Sequence, residues 1–307
     1  MMLYDLPAPA KLNLFLHVVG RRDDGYHKLE TLFRLISLSD SISIDLAINS
    51  TISRDTNLAE PLIAENDLVV RAALALQKIT GTKMGAHISV NKRIPVGGGL
   101  GGGSSDAATV LIGLNRLWQC HLKRSELMQI GLSLGADVPF FIYGQSAFAQ
   151  GIGEQLTPVL LAPNSYLVVQ PSQSVATQSI FNAPDLTRQT ESVKITDFSG
   201  CKSFVQSNPA GFGKNDLQPV VFRQYPVVFK AFARLVQLGL EARLTGSGGC
   251  LFIECSTPSE AVKTREVLRA TMSGNDAQAA SGEGNLISNV FACDGYAEHP
   301  LRHWVND

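Results

Sequence analysis

No C-x-x-C pair and no cysteine–histidine set at zinc spacing occurs in this 307-residue chain, whose cysteines stand at 120, 201, 250, 255 and 293. An odd number of cysteines in a chain this long argues against a disulfide framework; reduced thiols and no metal site are expected. No stretch approaches the roughly 18–20 consecutive apolar residues of a membrane span. The apolar run 12–19 does not have the layout of a secretory signal. Asp5 precedes it, Ala8, Pro9 and Ala10 lie before it, and Arg21, Arg22, Asp23 and Asp24 follow. It reads as a buried first strand of a cytoplasmic protein. Excess charge of one sign is missing too: 26 Lys+Arg face 27 Asp+Glu, a net charge of −1. That balance speaks against nucleic acid and anionic membranes as partners, while leaving room for a local basic pocket.

What is present is globular. Hydrophobic residues make up 45% and charged residues 17%, enough for a core without staples and enough chain for two domains. Residues 11–19 read as a strand, 20–25 as a charged turn, and 42–46 and 86–90 as alternating, half-buried strands. Asn66 or Asp67 can cap a helix carrying Leu68, Val69, Ala72, Leu76 and Ile79. Apolar residues at 107, 110, 111, 114, 117 and 118 predict a helix over 106–119. Ser125 is expected to cap another that runs through Leu134, followed by a loop at 135–139. A strand at 166–170 opens the second half, with the boundary near 160, so that the domains span 1–160 and 161–307. Further on come a helix over 226–238, a second glycine loop at 244–252 leading into a strand, and the capping-box spacing TPSE at 257–260. The small, polar residues 273–285 read as a surface loop.

The dominant local signal is PVGGGLGGGSSDAA at 95–108, where six of the seven residues from Gly97 to Gly103 are glycine. Glycine costs conformational entropy, so this density needs a reason. A loop between a strand and an amphipathic helix brings backbone N–H groups close to an anion, reinforced by the helix start. It is not a Walker A loop, because no lysine lies between Pro95 and Ser105. The Gly97, Gly99 and Gly102 match to G-x-G-x-x-G is accidental in so glycine-rich a run. A dinucleotide fold would place that motif directly after its first strand.

This segment resembles the central ATP-binding motif of the GHMP kinases (galactokinase, homoserine, mevalonate and phosphomevalonate kinases). PAKLNL at 9–14 and LTGSGGC at 244–250 resemble the other two family motifs, in order. APAKLNLFL at 8–16, DGYHKL at 24–29 and LGADVP at 134–139 bring it closest to the branch whose alcohol substrate carries a cytidine diphosphate group. The resemblance implies a two-domain α+β GHMP kinase fold, ribosomal-protein-S5-like in its N-terminal half and ferredoxin-like in its C-terminal half, with ATP between them. Other readings are a homoserine- or mevalonate-type kinase, a non-catalytic ligand-binding regulator of the same fold, and an RNA-binding protein. The GYH segment opposes the first, the presence of both Lys11 and Asp137 the second, and the charge balance the third.

The family match assigns roles residue by residue. Asp137 is the expected base, accepting the proton of the substrate hydroxyl, and Lys11 the cation that keeps it ionised and stabilises developing charge. The ATP phosphates are expected on Pro95, Val96, Gly97, Gly98, Gly99, Leu100, Gly101, Gly102, Gly103, Ser104 and Ser105. The two serine hydroxyls would face phosphate or Mg²⁺, which is expected with the nucleotide. Lys92 is expected to reach phosphate or adenine. Tyr26 and His27 would stack on and read the cytosine, Phe181 close its other face near Thr177, and Asn13, Gly246 and Gly248 contact substrate. Asp67 departs from the asparagine common at the matching place. An ionised Asp accepts but does not donate, which puts adenine contacts there in question. Oligomeric state is not legible.

Overall fold

The computed structural model describes residues 1–56, 67–193, 213–273 and 285–307. Two long antiparallel strands organise it, β1 (Met2–Arg21) and β2 (His27–Ala47). They extend well beyond the predicted 11–19 and 42–46. The reason is burial on both sides. β1 feeds Leu6 and Ala8 into one apolar cluster, Ala10, Leu12, Leu14 and Phe15 into a second, and Leu16 and Val18 into a third. A strand covered on both faces reads as a continuous apolar run rather than an alternation.

β3 (Ile52–Thr56), β4 (Gly85–Asn91), β5 (Ala147–Gln150) and β6 (Gln155–Pro158) complete the first sheet, in the order β3-β4-β2-β5-β6 with β1 also on β2. One face is covered by α1 (Leu68–Thr80), α2 (Gly102–Leu117), α3 (Arg124–Leu134) and α4 (Val138–Tyr143). Asp67 caps α1, its Oδ1 accepting from Val69 N–H at 2.9 Å, while Asn66, the other cap considered, lies outside the described residues. α3 starts before Ser125: Lys123 is its cap residue and its N–H donates to Glu126 Oε2 at 2.8 Å. The expected loop 135–139 is shorter than predicted, because Pro139 sits in the first turn of α4, where its missing N–H costs nothing.

The second half is built from β7 (Ser165–Pro171), α5 (Thr177–Phe181), α6 (Gln218–Gln224), α7 (Pro226–Gln237), β8 (Arg243–Leu244), β9 (Leu251–Cys255), α8 (Pro258–Ser273) and β10 (Ile287–Asp294). Its antiparallel sheet runs β10-β7-β9-β8. With α6 and α7 between β7 and β8, and α8 between β9 and β10, this is the ferredoxin-like βαββαβ arrangement. The two-domain α+β fold is therefore the observed one. α8 extends through Ser273; residues 274–284 of the predicted surface loop lie outside the described residues.

After β10 the chain returns to the first sheet. Leu301 and Val305 join the first core cluster, and Arg124 donates to the carbonyls of Ile142, Arg302 and Val305. This clamps the end of α4. Among the described residues, no helix is long and apolar enough to cross a membrane.

Candidate active site

A cleft of about 410 Å³ opens where the glycine loop meets the second half. Pro95 through Ser104 line it together with Lys11, Lys92, Asp137 and Thr177. The loop is not only a loop. α2 begins at Gly102, four residues earlier than apolar periodicity predicted, because glycine is a poor helix former and hides the start. The first helical bond runs from Ser105 N–H to Gly101 O at 2.9 Å. The N–H groups of Gly102, Gly103 and Ser104 are thus the donors a helix start leaves over, at the positive end of a 16-residue helix and facing the cleft.

The glycines also answer to packing between the halves. A Cβ on Gly99 would lie 2.4 Å from Thr245 O, and one on Gly248 2.0 Å from Gly99 N. Cys250 N–H donates to Gly98 O at 3.2 Å. So the second glycine loop braces the first from behind. Gly246, held at φ +59°, and Gly248 contact Gly99 and do not line the cleft.

Lys11 lies on β1 beside the loop, its N–H donating to Leu100 O at 3.0 Å. Its buried ammonium stands 3.5 Å from Asp137 Oδ2, 2.5 Å from Asn13 Oδ1 and 5.0 Å from the centre of the Phe33 ring. Asn13 is oriented in turn by donating to Thr31 Oγ1 at 2.8 Å. Asp137 occupies the cap position of α4 but makes no capping bond, which leaves its carboxylate, 34% exposed, to the cleft. A half-exposed carboxylate held against a buried cation is equipped to take a proton from a bound hydroxyl.

Ser105 and Lys92, like Gly246 and Gly248, are placed differently from expectation. Ser105 is fully buried and donates to Pro9 O at 2.7 Å, so it ties α2 to β1 rather than lining the cleft. Lys92 reaches the cleft wall, but its ammonium is held by Asp40 at 2.5 Å and Asp106 at 2.6 Å. Burial works against its charge, yet the two carboxylates outweigh that and raise its pKa. Asp106, buried and sharing one cation with a second carboxylate, is pushed up to about 7. Asp67 is engaged by Arg54, and both line the cleft. Arg54 and Asp40 are not legible in the sequence because a single Arg or Asp in a strand carries no motif; Asp106 stands inside the 95–108 motif, but nothing along the chain shows that it turns to Lys92.

A second group lies away from this cleft. Tyr26 is 61% exposed and His27 is buried beside Phe181, ring centres 5.3 Å apart. His27 accepts from Arg188 Nε at 3.1 Å. Burial, then Arg188 and Arg21, lower its pKa. Thr177 opens α5, whose last residue is Phe181, and accepts from Ser247 Oγ at 2.9 Å, linking the two regions.

Comparison with known proteins shows the family. Residues 67–145 match the GHMP kinases N terminal domain and residues 203–274 the GHMP kinases C terminal domain. The 4-diphosphocytidyl-2-C-methyl-D-erythritol kinase of Bordetella bronchiseptica is 54% identical over 99% of both chains. A crystal structure of 4-(cytidine 5'-diphospho)-2C-methyl-D-erythritol kinase superposes with TM-score 0.72 at 32% identity, over 96% of this chain and 99% of the other. A homoserine kinase from Cytophaga hutchinsonii shares the fold alone, with TM-score 0.67 at 16% identity, over 97% and 95% of the two chains. Cleft, sequence and fold together show that the chain belongs to the GHMP kinases, in the branch of the 4-diphosphocytidyl-2-C-methyl-D-erythritol kinases.

Proposed function

We propose that the chain transfers the γ-phosphate of ATP to the 2-hydroxyl of 4-diphosphocytidyl-2-C-methyl-D-erythritol, a step of non-mevalonate isoprenoid precursor synthesis. The observation that carries the reading is the Lys11–Asp137 pair, 3.5 Å apart, on the wall of a cleft formed by a helix start rich in free N–H groups. The residues fit a nucleotide triphosphate: three backbone donors at the α2 start and the Ser104 hydroxyl can hold its phosphates. Among the described residues no group of three or more acidic, His or Cys side chains could hold a metal by itself. Mg²⁺ keeps its waters and binds through phosphates plus one or two protein oxygens. Bound there, it would neutralise phosphate charge, with Ser104 and Asp137 as the nearby oxygen donors.

Asp137 accepts the proton of the attacking hydroxyl as the bond to phosphorus forms. Lys11 faces both that carboxylate and the transferred group, offsetting the charge that develops. Asn13 keeps the ammonium in place. The substrate's cytosine lies against Tyr26, His27 and Phe181, with Thr177 between base and cleft. The protein acts in the cytoplasm, on a small molecule.

The test is ADP release by the purified protein with ATP, Mg²⁺ and the cytidyl substrate, beside homoserine and mevalonate, with Asp137→Asn in parallel. Turnover of the cytidyl substrate alone, reduced about 10³-fold or more in the variant, is expected. Turnover of another alcohol instead would sink the cytidine reading, and full activity of the variant would sink the base.

A further inference from the structure

Arg188 lies outside every motif and outside the cleft, yet its guanidinium is one of the most tightly bonded groups of the second half. Nη1 donates to Pro184 O at 3.3 Å and Leu186 O at 3.1 Å, and Nη2 to Ala183 O at 2.7 Å. The segment that carries it is fastened to both central strands. Thr190 N–H donates to Val18 O at 3.2 Å and Val193 N–H to Glu30 Oε2 at 2.7 Å. These bonds fix the plane of the guanidinium, and its Nε–H is thereby aimed at His27 Nε2, 3.1 Å away.

A guanidinium offers only donors and stays protonated. The imidazole nitrogen facing it must therefore present a lone pair. His27 then carries its single proton on Nδ1, which has no partner among the described residues. Protonating Nε2 would break this bond and set an imidazolium against Arg188 and Arg21, the two charges that act on it, in a buried position. Phe181 against the ring limits its rotation.

We propose that Arg188 is a positioning and specificity residue for the base site: by occupying His27 Nε2 it fixes the neutral Nδ1–H tautomer, so that the histidine side chain meets the nucleobase as a donor only. The inference rests on the cytidine reading of this site. A donor-only imidazole addresses a ring acceptor, the O2 or N3 of cytosine, and cannot accept from the exocyclic amine. Discrimination at the amine then falls to other groups.

Two measurements on the full chain test it. Long-range ¹H–¹⁵N spectra of histidine-labelled protein, with His27→Gln to assign the signals, read the tautomer directly and need no activity. The expected form is neutral Nδ1–H between pH 6 and 8; Nε2–H or imidazolium there would overturn the proposal. Steady-state kinetics of Arg188→Met, His27→Gln and the double variant read the coupling. Arg188→Met alone should raise KM for the cytidyl substrate about tenfold, one hydrogen bond's worth, with kcat and KM for ATP within about threefold. In the His27→Gln background it should add under about twofold. A full, additive effect in that background would mean Arg188 merely holds its loop, and would overturn the proposal. If His27→Gln leaves KM for the cytidyl substrate unchanged, the cytidine reading fails and the specificity role with it, while the spectra still decide the tautomer.

Discussion

Gly248→Ala is the sharpest single perturbation of the cleft. The added methyl would lie 2.0 Å from Gly99 N, 2.2 Å from Gly98 C and 2.6 Å from Gly99 Cα, all backbone atoms with no rotamer to yield. Ordinary carbon contacts begin near 3.4 Å, so the two glycine loops must part by more than an ångström. Overpacking of this kind costs about 1–3 kcal/mol of stability. The larger effect is on catalysis. Gly98 and Gly99 lead directly into the α2 start, and misplacing a positioning element by about 1 Å can cost roughly 100-fold. A fall in kcat/KM of that order is therefore expected in ADP-release kinetics, with an unfolding midpoint that drops only modestly. Gly103→Ala is the control for stability. Its methyl meets only Leu68 Cδ1, at 3.6 Å, and a helical Gly→Ala exchange gains up to about 1 kcal/mol. A Gly248→Ala protein with wild-type kcat/KM and melting would refute the bracing of one loop by the other.

Two further expectations concern stability. Lys92→Met leaves Asp40 and Asp106 buried without their shared cation, and should cost about 3–5 kcal/mol in urea unfolding, far more than an exposed lysine would; a loss under about 1 kcal/mol would count against the cluster. His299 is buried, its Nδ1 accepting from Leu301 N–H at 3.0 Å, and burial followed by Arg124 lowers its pKa to about 3. Its folded pKa lies below the unfolded value, so its stabilisation is present above about pH 6.5 and is lost as pH falls toward 3. Between pH 7 and 5 it should account for about 2 kcal/mol. His299→Asn, which keeps an acceptor for Leu301, should flatten that part of the curve, and parallel curves for the two proteins would exclude the effect.

Much of the site was legible along the chain because its parts are local. A glycine run between a strand and a helix, a lone lysine in an apolar strand and an aspartate in a Gly-Ala-Asp-Val-Pro turn each announce themselves within a dozen residues. By itself the sequence determined the family and the helix behind the glycine loop, and it singled out that loop, Lys11 and Asp137 as candidates, which the structure gathers in one cleft. Where α2 begins was masked by the low helix propensity of the glycines that start it. Only the tertiary structure decided that Ser105 turns inward to Pro9, that Lys92 is held by Asp40, that Gly248 sits on Gly99 and that Arg188 reaches His27. Periodicity reports the direction in which a side chain leaves its own strand or helix. It carries no information about which residue, 50 or 150 positions away, the packing of two sheets will set against it.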